Sequence, residues 1–345
     1  MSRKSYRQAL NEALRHEMRR DSRVIIAGVD AASGQTSAPT AALQENKAAG
    51  GVLGVTSGLF EEFGPQRVIE TPITESALIG MCTGAACTGL RPVADLVFVD
   101  FLGVCFDQVF NQAAKLRYMF GGQVKVPLVI RANVGGGLGA GSQHSQMLHP
   151  ILTHIPGLKV ALPSGAYDAK GLLTEAIRDD DPVLLLEHKA LYDSEEDVPD
   201  DPYTIPLGEA NVLMEGAHVT VIAFSNMVPR TLRVATRLRQ EGISVELIDP
   251  RTTSPLDEDT IIDSVERTGH LVIVDEGYPR CGIAADIAAL VACRAFAALK
   301  SPIVTVTPPH TPVPFAPPLE QAFIPSEERI AAGIRQALPA SPGTT

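Results

Sequence analysis

Leu158-Lys-Val-Ala-Leu162, the stretch from Tyr167 to Arg178 and Val183-Leu-Leu-Leu-Glu187 decide the fold. A short apolar run, a segment with apolar residues at helical spacing and a second apolar run read as strand, helix and strand. Continuous apolarity in Val183-Leu-Leu-Leu, and again in Leu128-Val-Ile, suits parallel strands covered on both faces; a sheet wetted on one side alternates instead. The same alternation extends outward in both directions. Toward the N-terminus it predicts a strand over 127–131, an amphipathic helix over 104–119, a strand over 93–99, a small-residue helix over 75–90 and a strand at Arg67-Val-Ile-Glu70. Before these come the apolar run Val24-Ile-Ile-Ala-Gly28 and a helix carrying Ala9, Leu10, Ala13, Leu14 and Met18. A Gly/Ala/Ser-rich segment, 30–57, reads as a long loop, and such loops in compact domains are usually functional or disordered.

Toward the C-terminus, Ser194-Glu-Glu-Asp-Val-Pro-Asp-Asp-Pro202 reads as a solvated linker. Beyond it, strands over 218–224, 244–248, 271–274 and 303–306 alternate with helices over 229–240, 257–268 and 283–299. The expected fold class is therefore α/β, two doubly wound domains, 1–192 and a smaller 207–345, joined by a linker at 193–206. Pro308-Pro-His-Thr-Pro-Val-Pro-Phe315 is too proline-rich for regular structure and should lie extended across a surface.

Composition narrows the function classes. With 345 residues, 45% hydrophobic and 20% charged, the chain can bury ordinary cores, and its net charge of -11 gives no footprint for nucleic acid or an anionic membrane. No apolar run reaches the roughly 18 residues of a membrane span. The N-terminal ten residues lack the apolar core and small-residue cleavage site of a signal peptide. Five scattered cysteines, Cys82, Cys87, Cys105, Cys281 and Cys293, argue against a disulfide framework or a thiolate zinc site and for reduced thiols in a cytoplasmic protein.

Three features could carry chemistry. Gly135, Gly137 and Ala140 match a G-x-G-x-x-A spacing after a strand, but no acid follows at the place that would hold a ribose, so the run reads as backbone that must approach something closely. It leads into Gln143-His144-Ser145, where a loop histidine is placed for proton transfer or is simply an exposed polar residue. His144, His149 and His154 are five apart, a spacing that on a helix cannot converge on one metal. Glu75 opens a helix of very small residues. It is either an acid favoured by the helix dipole or a carboxyl at a close-packed helix start, held protonated for acid–base work.

Beyond this point the residues carry a resemblance. Glu70-Thr-Pro-Ile-Thr-Glu75, Phe106-Asp-Gln-Val-Phe-Asn-Gln-Ala-Ala-Lys115, Gln143-His-Ser-Gln146, Pro156-Gly-Leu-Lys-Val160 and Ala176-Ile-Arg-Asp179 together resemble the beta subunit of the thiamine-diphosphate-dependent first component of 2-oxo acid dehydrogenase complexes. The likeness covers essentially the whole chain. Gly50-Gly-Val-Leu-Gly-Val-Thr-Ser-Gly58, Leu186 to Tyr192 and Pro309 to Ala316 resemble acetoin dehydrogenase beta subunits more than pyruvate or branched-chain ones.

The resemblance implies a pyrimidine-binding domain followed by a transketolase C-terminal-like domain. It implies that Glu75 gives a proton to the aminopyrimidine ring nitrogen of thiamine diphosphate, that Phe101 stacks on that ring and Ile73 lines its pocket, and that His144 faces the substrate and the incoming lipoyl group. It further implies a structural potassium ion on carbonyls around Ala176, Ile177 and Asp179. The family's Gly-Asp-Gly and Asn-Asn motif for diphosphate and Mg²⁺ is absent from this sequence, so an alpha subunit is expected to hold that half of the cofactor in a heterotetramer. The implied partners are that alpha subunit, a second copy of this chain and a lipoyl-bearing acyltransferase. The implied activity is oxidative cleavage of acetoin or a 2-oxo acid, with pyruvate or branched-chain dehydrogenase as the alternative and a non-catalytic partner subunit as a second. Two departures stand out: Val29-Asp30 follows Gly28 where relatives carry Gly-Glu-Asp or Gly-Glu-Glu, and 31–49 matches no relative residue by residue.

Overall fold

A computed structural model describes residues 1–32 and 50–339; the greater part of the segment read as a long loop, 33–49, lies outside the described residues. By packing, the chain divides into one unit made of residues 1–134 and 151–207 and a second made of 135–150 and 208–345.

The first unit starts with β1 (Ser2–Ser5) and α1 (Tyr6–Arg20). Ser5 and Gln8 close a capping box at the start of α1, which satisfies two of the N–H groups a helix start leaves unpaired. One face of α1 buries Tyr6, Ala9, Leu10, Ala13, Leu14 and Met18, as the helical spacing predicts. There follow β2 (Val24–Gly28), α2 (Leu59–Phe63), β3 (Val68–Glu70), α3 (Glu75–Cys87), β4 (Arg91–Phe98), α4 (Leu102–Asp107) and α5 (Ala114–Met119). Next come β5 (Val129–Val134), α6 (His149–Thr153), β6 (Lys159–Ala161), α7 (Ala166–Arg178), β7 (Val183–His188) and β8 (Glu195–Val198). Strands of this unit lie in the order β6-β7-β5-β4-β2-β3, each neighbouring pair parallel. All of β5 and β7 is buried, as expected of central parallel strands.

Two local readings are corrected. The helix expected over 104–119 begins at Leu102 and passes through a π-helical turn, Gln108–Ala113, between α4 and α5. The acidic stretch expected as solvated linker contains β8, which pairs antiparallel with β1. A buried lysine explains this. Lys170, fully buried on α7, donates to the Glu12 carboxylate at 2.8 Å and to the carbonyls of Pro199 and Asp200 at 2.5 and 3.1 Å. A buried ammonium requires such acceptors, and those carbonyls draw the segment onto the unit.

The second unit contains β9 (Asn211–Met214), β10 (Val219–Ala223), α8 (Met227–Gln240), β11 (Val245–Asp249), β12 (Thr252–Ser254), α9 (Glu258–Thr268), β13 (Leu271–Val274), α10 (Ile283–Arg294), β14 (Val304–Val306), α11 (Pro317–Phe323) and α12 (Glu327–Ala337). Its sheet runs β14-β13-β10-β11-β9, parallel except for the edge strand β9. Val234 and Leu238 of α8 share one apolar core with Ile330 and Ile334 of α12. Ile261 and Val265 of α9 share another with Ile287 and Val291 of α10. Two cores, one per sheet face, define a doubly wound unit.

At the end of β2 two strands approach closely. A Cβ on Gly28 would stand 2.8 Å from Asp95 Cβ and 3.1 Å from the Asp95 carbonyl oxygen on β4, neither of which can swing away. Gly28→Ala is expected to destabilise the protein by about 1–3 kcal/mol through overpacking, read as a fall in Tm; an unchanged Tm contradicts the close approach.

Candidate active site

In the first unit the strands β2, β3 and β4 deliver their carboxyl ends to one edge, where ligands of open parallel sheets bind. Gly28 leads to Asp30 from β2, Glu70 leads to Ile73 and Glu75 from β3, and Phe98 leads to the short turn Val99–Phe101 from β4. Three of the residues implied by the resemblance, Ile73, Glu75 and Phe101, thus follow strands of one sheet.

Glu75 is the first residue of α3, and Thr74 before it makes no side-chain cap. Its carboxylate therefore lies where the unpaired N–H groups of a helix start favour negative charge. It is half-buried. The helix below it packs Leu78, Ile79, Cys82, Thr83 and Ala86 inward, and Ser76 Oγ ties its first turn to the Val104 carbonyl at 2.5 Å. The opposite side is open: Ile73 is 72% exposed, Met81 45% and Val104 61%. Phe101 is half-buried, with the Phe98 ring edge-on at 5.8 Å.

Cys105 of α4 reports the setting of Glu75. Burial pushes its thiol up to about 12, and the nearby Glu75 carboxylate adds to the effect. Burial alone takes Cys82 to about 12. A thiol is reactive only as thiolate, so iodoacetamide at mildly alkaline pH should modify the exposed Cys281 and Cys293 and spare Cys82 and Cys105, read by peptide mass spectrometry. Modification of Cys105 as fast as Cys281 would contradict this burial.

Glu70, which sequence reasoning passed over, organises the departure at Val29-Asp30. Its carboxylate accepts the Asp30 amide at 2.6 Å and the Ala32 amide at 2.9 Å, while Asp30 itself sits at φ +58. β3 thus supplies a carboxylate to the turn after β2.

His144 lies in the second unit, half-buried in the loop 135–150. Two acids on distant parts of that unit hold the loop by its backbone. Glu276 accepts the Gly136 amide at 2.7 Å and Glu320 of α11 accepts the Gly139 amide at 2.9 Å. Ser142 Oγ adds a bond to the Val313 carbonyl at 2.6 Å. The histidines have separate settings: His149 is fully buried with Nε2 3.3 Å from Asp275 Oδ2, and His154 is exposed. The sequence offers no spacing signal for Glu276 or Glu320, because their link to the loop exists only in the fold.

The turn after α7, for which potassium was expected, departs from that expectation. Arg91 Nη1 donates to the carbonyls of Ile177 at 3.0 Å and Asp179 at 2.8 Å, and its Nη2 bonds Asp180 at 2.7 Å. Lys159 adds an ion pair to Asp179 at 2.6 Å. A cation on those oxygens would sit against a guanidinium, and Ala176 adds only a residue buried on α7. The chain's own positive charges neutralise this turn, and the residues do not fit the ion.

Comparison with known proteins agrees with this layout. Residues 2–195 match the family model "Transketolase, pyrimidine binding domain" and residues 208–330 match "Transketolase, C-terminal domain". The chain is 55% identical to the acetoin:2,6-dichlorophenolindophenol oxidoreductase subunit beta of Cupriavidus necator over 98% of both chains. It is 43% identical to the pyruvate dehydrogenase E1 component subunit beta of Rickettsia felis, covering 96% of this chain and 97% of that one. A solved split-gene transketolase, described as an inactive beta4 tetramer, shares the fold with a TM-score of 0.75 at 21% identity, covering 97% of this chain and 98% of that one. The fold is thus that of the transketolase-like α/β proteins. The chain belongs, within them, to the family of beta subunits of thiamine-diphosphate-dependent acetoin and 2-oxo acid dehydrogenase first components.

Proposed function

We propose that this chain is the beta half of an acetoin dehydrogenase-type first component, contributing the acid–base and pyrimidine side of an active site that an alpha subunit completes. What supports this reading is that Ile73 and Glu75 follow β3 and Phe101 follows β4 at the carboxyl ends of one parallel sheet, in a chain with 55% identity to an acetoin-oxidising relative against 43% to a pyruvate one.

Thiamine diphosphate, when bound, would supply a nucleophilic carbon and an electron sink for the substrate carbonyl. The residues of this chain act around it. Glu75, at a helix start open to a second surface, shares its proton with the aminopyrimidine ring nitrogen, a task that needs a group able both to give and to accept. Phe101 would offer an aromatic face to the pyrimidine and Ile73 an apolar wall. The exposed side chains of Ile73, Met81 and Val104 around the half-buried carboxyl support coverage by the alpha subunit, because such a rim on a lone chain marks an interaction surface. Coverage would exclude water and complete the burial of Glu75. Diphosphate and Mg²⁺ would lie on the alpha subunit, since this sequence lacks the Gly-Asp-Gly and Asn-Asn motif. His144, carried on a loop pinned by Glu276 and Glu320, would move a proton at the substrate oxygen as the acyl group passes to a lipoyl carrier.

Glu75→Gln in the complex reconstituted with the alpha subunit is expected to lower kcat for acetoin by at least about a hundredfold, the usual scale of a lost proton-transfer group, while the subunits still assemble on size exclusion. Unchanged turnover removes Glu75 from the mechanism. His144→Ala is expected to depress acyl transfer to lipoamide more than reduction of dichlorophenolindophenol, measured on the same preparation; equal losses in the two assays would place His144 at an earlier step.

A further inference from the structure

The ring of groups around Val97 is not used by the chemistry described above. On β4 and β5, Asp95 faces Arg131 and Phe98 faces Asn133, so three steps on one strand match two on the other. The extra residue makes a β-bulge, and bulges next to active sites re-aim the side chains that follow. Val97, in the bulge, has φ +67, a left-handed conformation that a β-branched residue adopts only under constraint.

The constraint is visible on both sides of that residue. Its N–H donates to Asp95 Oδ1 at 3.0 Å, and its carbonyl accepts Asn133 Nδ2 at 2.5 Å. Behind these two lies a closed circuit. Asp95 Oδ2 accepts Arg131 Nη1 at 3.2 Å, and Arg131 grips Glu187 with Nε at 2.7 Å and Nη2 at 2.8 Å. The single proton of the Tyr192 hydroxyl is shared between two acceptors, Glu187 Oε2 at 2.5 Å and Asn133 Oδ1. Arg131 and Glu187 are almost wholly buried. Burial, followed by the Glu187 charge, holds the Tyr192 hydroxyl well above its ordinary value, so the donor survives across the neutral range. A buried ion pair is a weak stabiliser compared with packed apolar side chains. One that also enforces a strained residue points to function.

Immediately after the bulge come Phe98, edge-on to Phe101, and the turn Val99–Phe101. Lys189, just past β7, stands over the Phe98 ring at 5.5 Å. We propose that the Arg131–Glu187 pair, acting through Asp95 and Asn133, locks Val97 in its left-handed bulge and thereby aims the turn that presents Phe101. Asn133 and Arg131 are positioning residues, since neither touches the ring that Phe101 would face. This inference rests on the reading of Phe101 as the pyrimidine-facing aromatic.

The test uses the full chain reconstituted with its alpha subunit and three variants: Asn133→Ala, Asn133→Ala with Val97→Gly, and Phe101→Ala. Asn133→Ala should speed hydrogen exchange of the amides in 96–101 and raise the KM for thiamine diphosphate by about tenfold with a smaller change in kcat. Glycine adopts positive φ without strain, so adding Val97→Gly should return most of the lost cofactor affinity, a recovery that a general loss of stability does not produce. Unchanged exchange in Asn133→Ala, or a double variant that binds the cofactor no better than Asn133→Ala, overturns the lock. Phe101→Ala separates the two claims: an unchanged KM there refutes the reading of Phe101, while the exchange measurement still decides whether the bulge is clamped.

Discussion

Arg131 and Glu187 put opposite charges into the middle of a sheet whose strands are otherwise apolar, and much of the first unit is arranged around that pair. Taking both ions out of water costs several kcal/mol each, so the pair persists only with short, two-point geometry and with its remaining valences filled. The register supplies both. Arg131 lies opposite Asp95 on β4 and Asn133 lies opposite Glu187 on β7, and residues two apart on a strand share a face. Three parallel strands therefore place four polar groups on one side of the sheet. Burial alone would lower the Arg131 value, but the carboxylates of Glu187 and Asp95 raise it further than burial lowers it, so the guanidinium stays charged. Removing one partner would leave the other buried and uncompensated, a loss of about 3–5 kcal/mol.

The charged face bears on the edge where the strands end. Since the β4–β5 register is fixed by Asp95 and Arg131, the bulge that follows must occur before Phe98, and the turn to Phe101 starts from a fixed point. From β3 the chain arrives differently, through the exposed stretch Pro72–Thr74, so the carboxyl of Glu75 is positioned by its helix and not by the sheet. The aromatic thus comes from a turn fixed by the sheet and the carboxyl from a helix start, two separate supports for the two roles proposed. Half-burial of both in this chain leaves the dielectric of the site to be set by whatever covers the exposed Ile73, Met81 and Val104.

How much of this was legible in the sequence depended on the range of the interactions. The alternating strands and helices of both units could be read because apolar periodicity is local, and the predicted ends lie within a few residues of those observed for most elements. β8 was missed because it is made of Glu and Asp and exists through its pairing with a strand almost two hundred residues away. The strand read as 127–131 stops at Arg131, whereas β5 continues to Val134. That shortfall hid Asn133, whose two-residue spacing from Arg131 was the only local sign of a polar face. α12 was not anticipated, although its start is marked locally by Ser326, which caps the Arg329 amide, and by the two acids that follow it. Glu75 could be singled out as an acid at a small-residue helix, but spacing could not choose between dipole stabilisation and proton transfer; the resemblance made that choice.

The glycine run after β5 shows why a motif can be present without its usual ligand. Gly135 to Gly141 offers closely approached backbone amides, the property that lets such loops cradle phosphates. Here the anions belong to the chain. Glu276 and Glu320, each at most 4% exposed, accept the amides of Gly136 and Gly139. A Cβ on Gly136 would come within 3.0 Å of Ile324 Cδ1 and 3.3 Å of Glu320 Oε1, and Gly139 has φ +64, so side chains are disfavoured by space at one position and by conformation at the other. A phosphate-binding run and this loop thus meet the same demand, unpaired N–H groups seeking negative charge, with different donors of that charge. An internal carboxylate does not dissociate with a ligand. The loop that carries His144 is therefore held by the chain's own carboxylates and needs no bound anion for its shape.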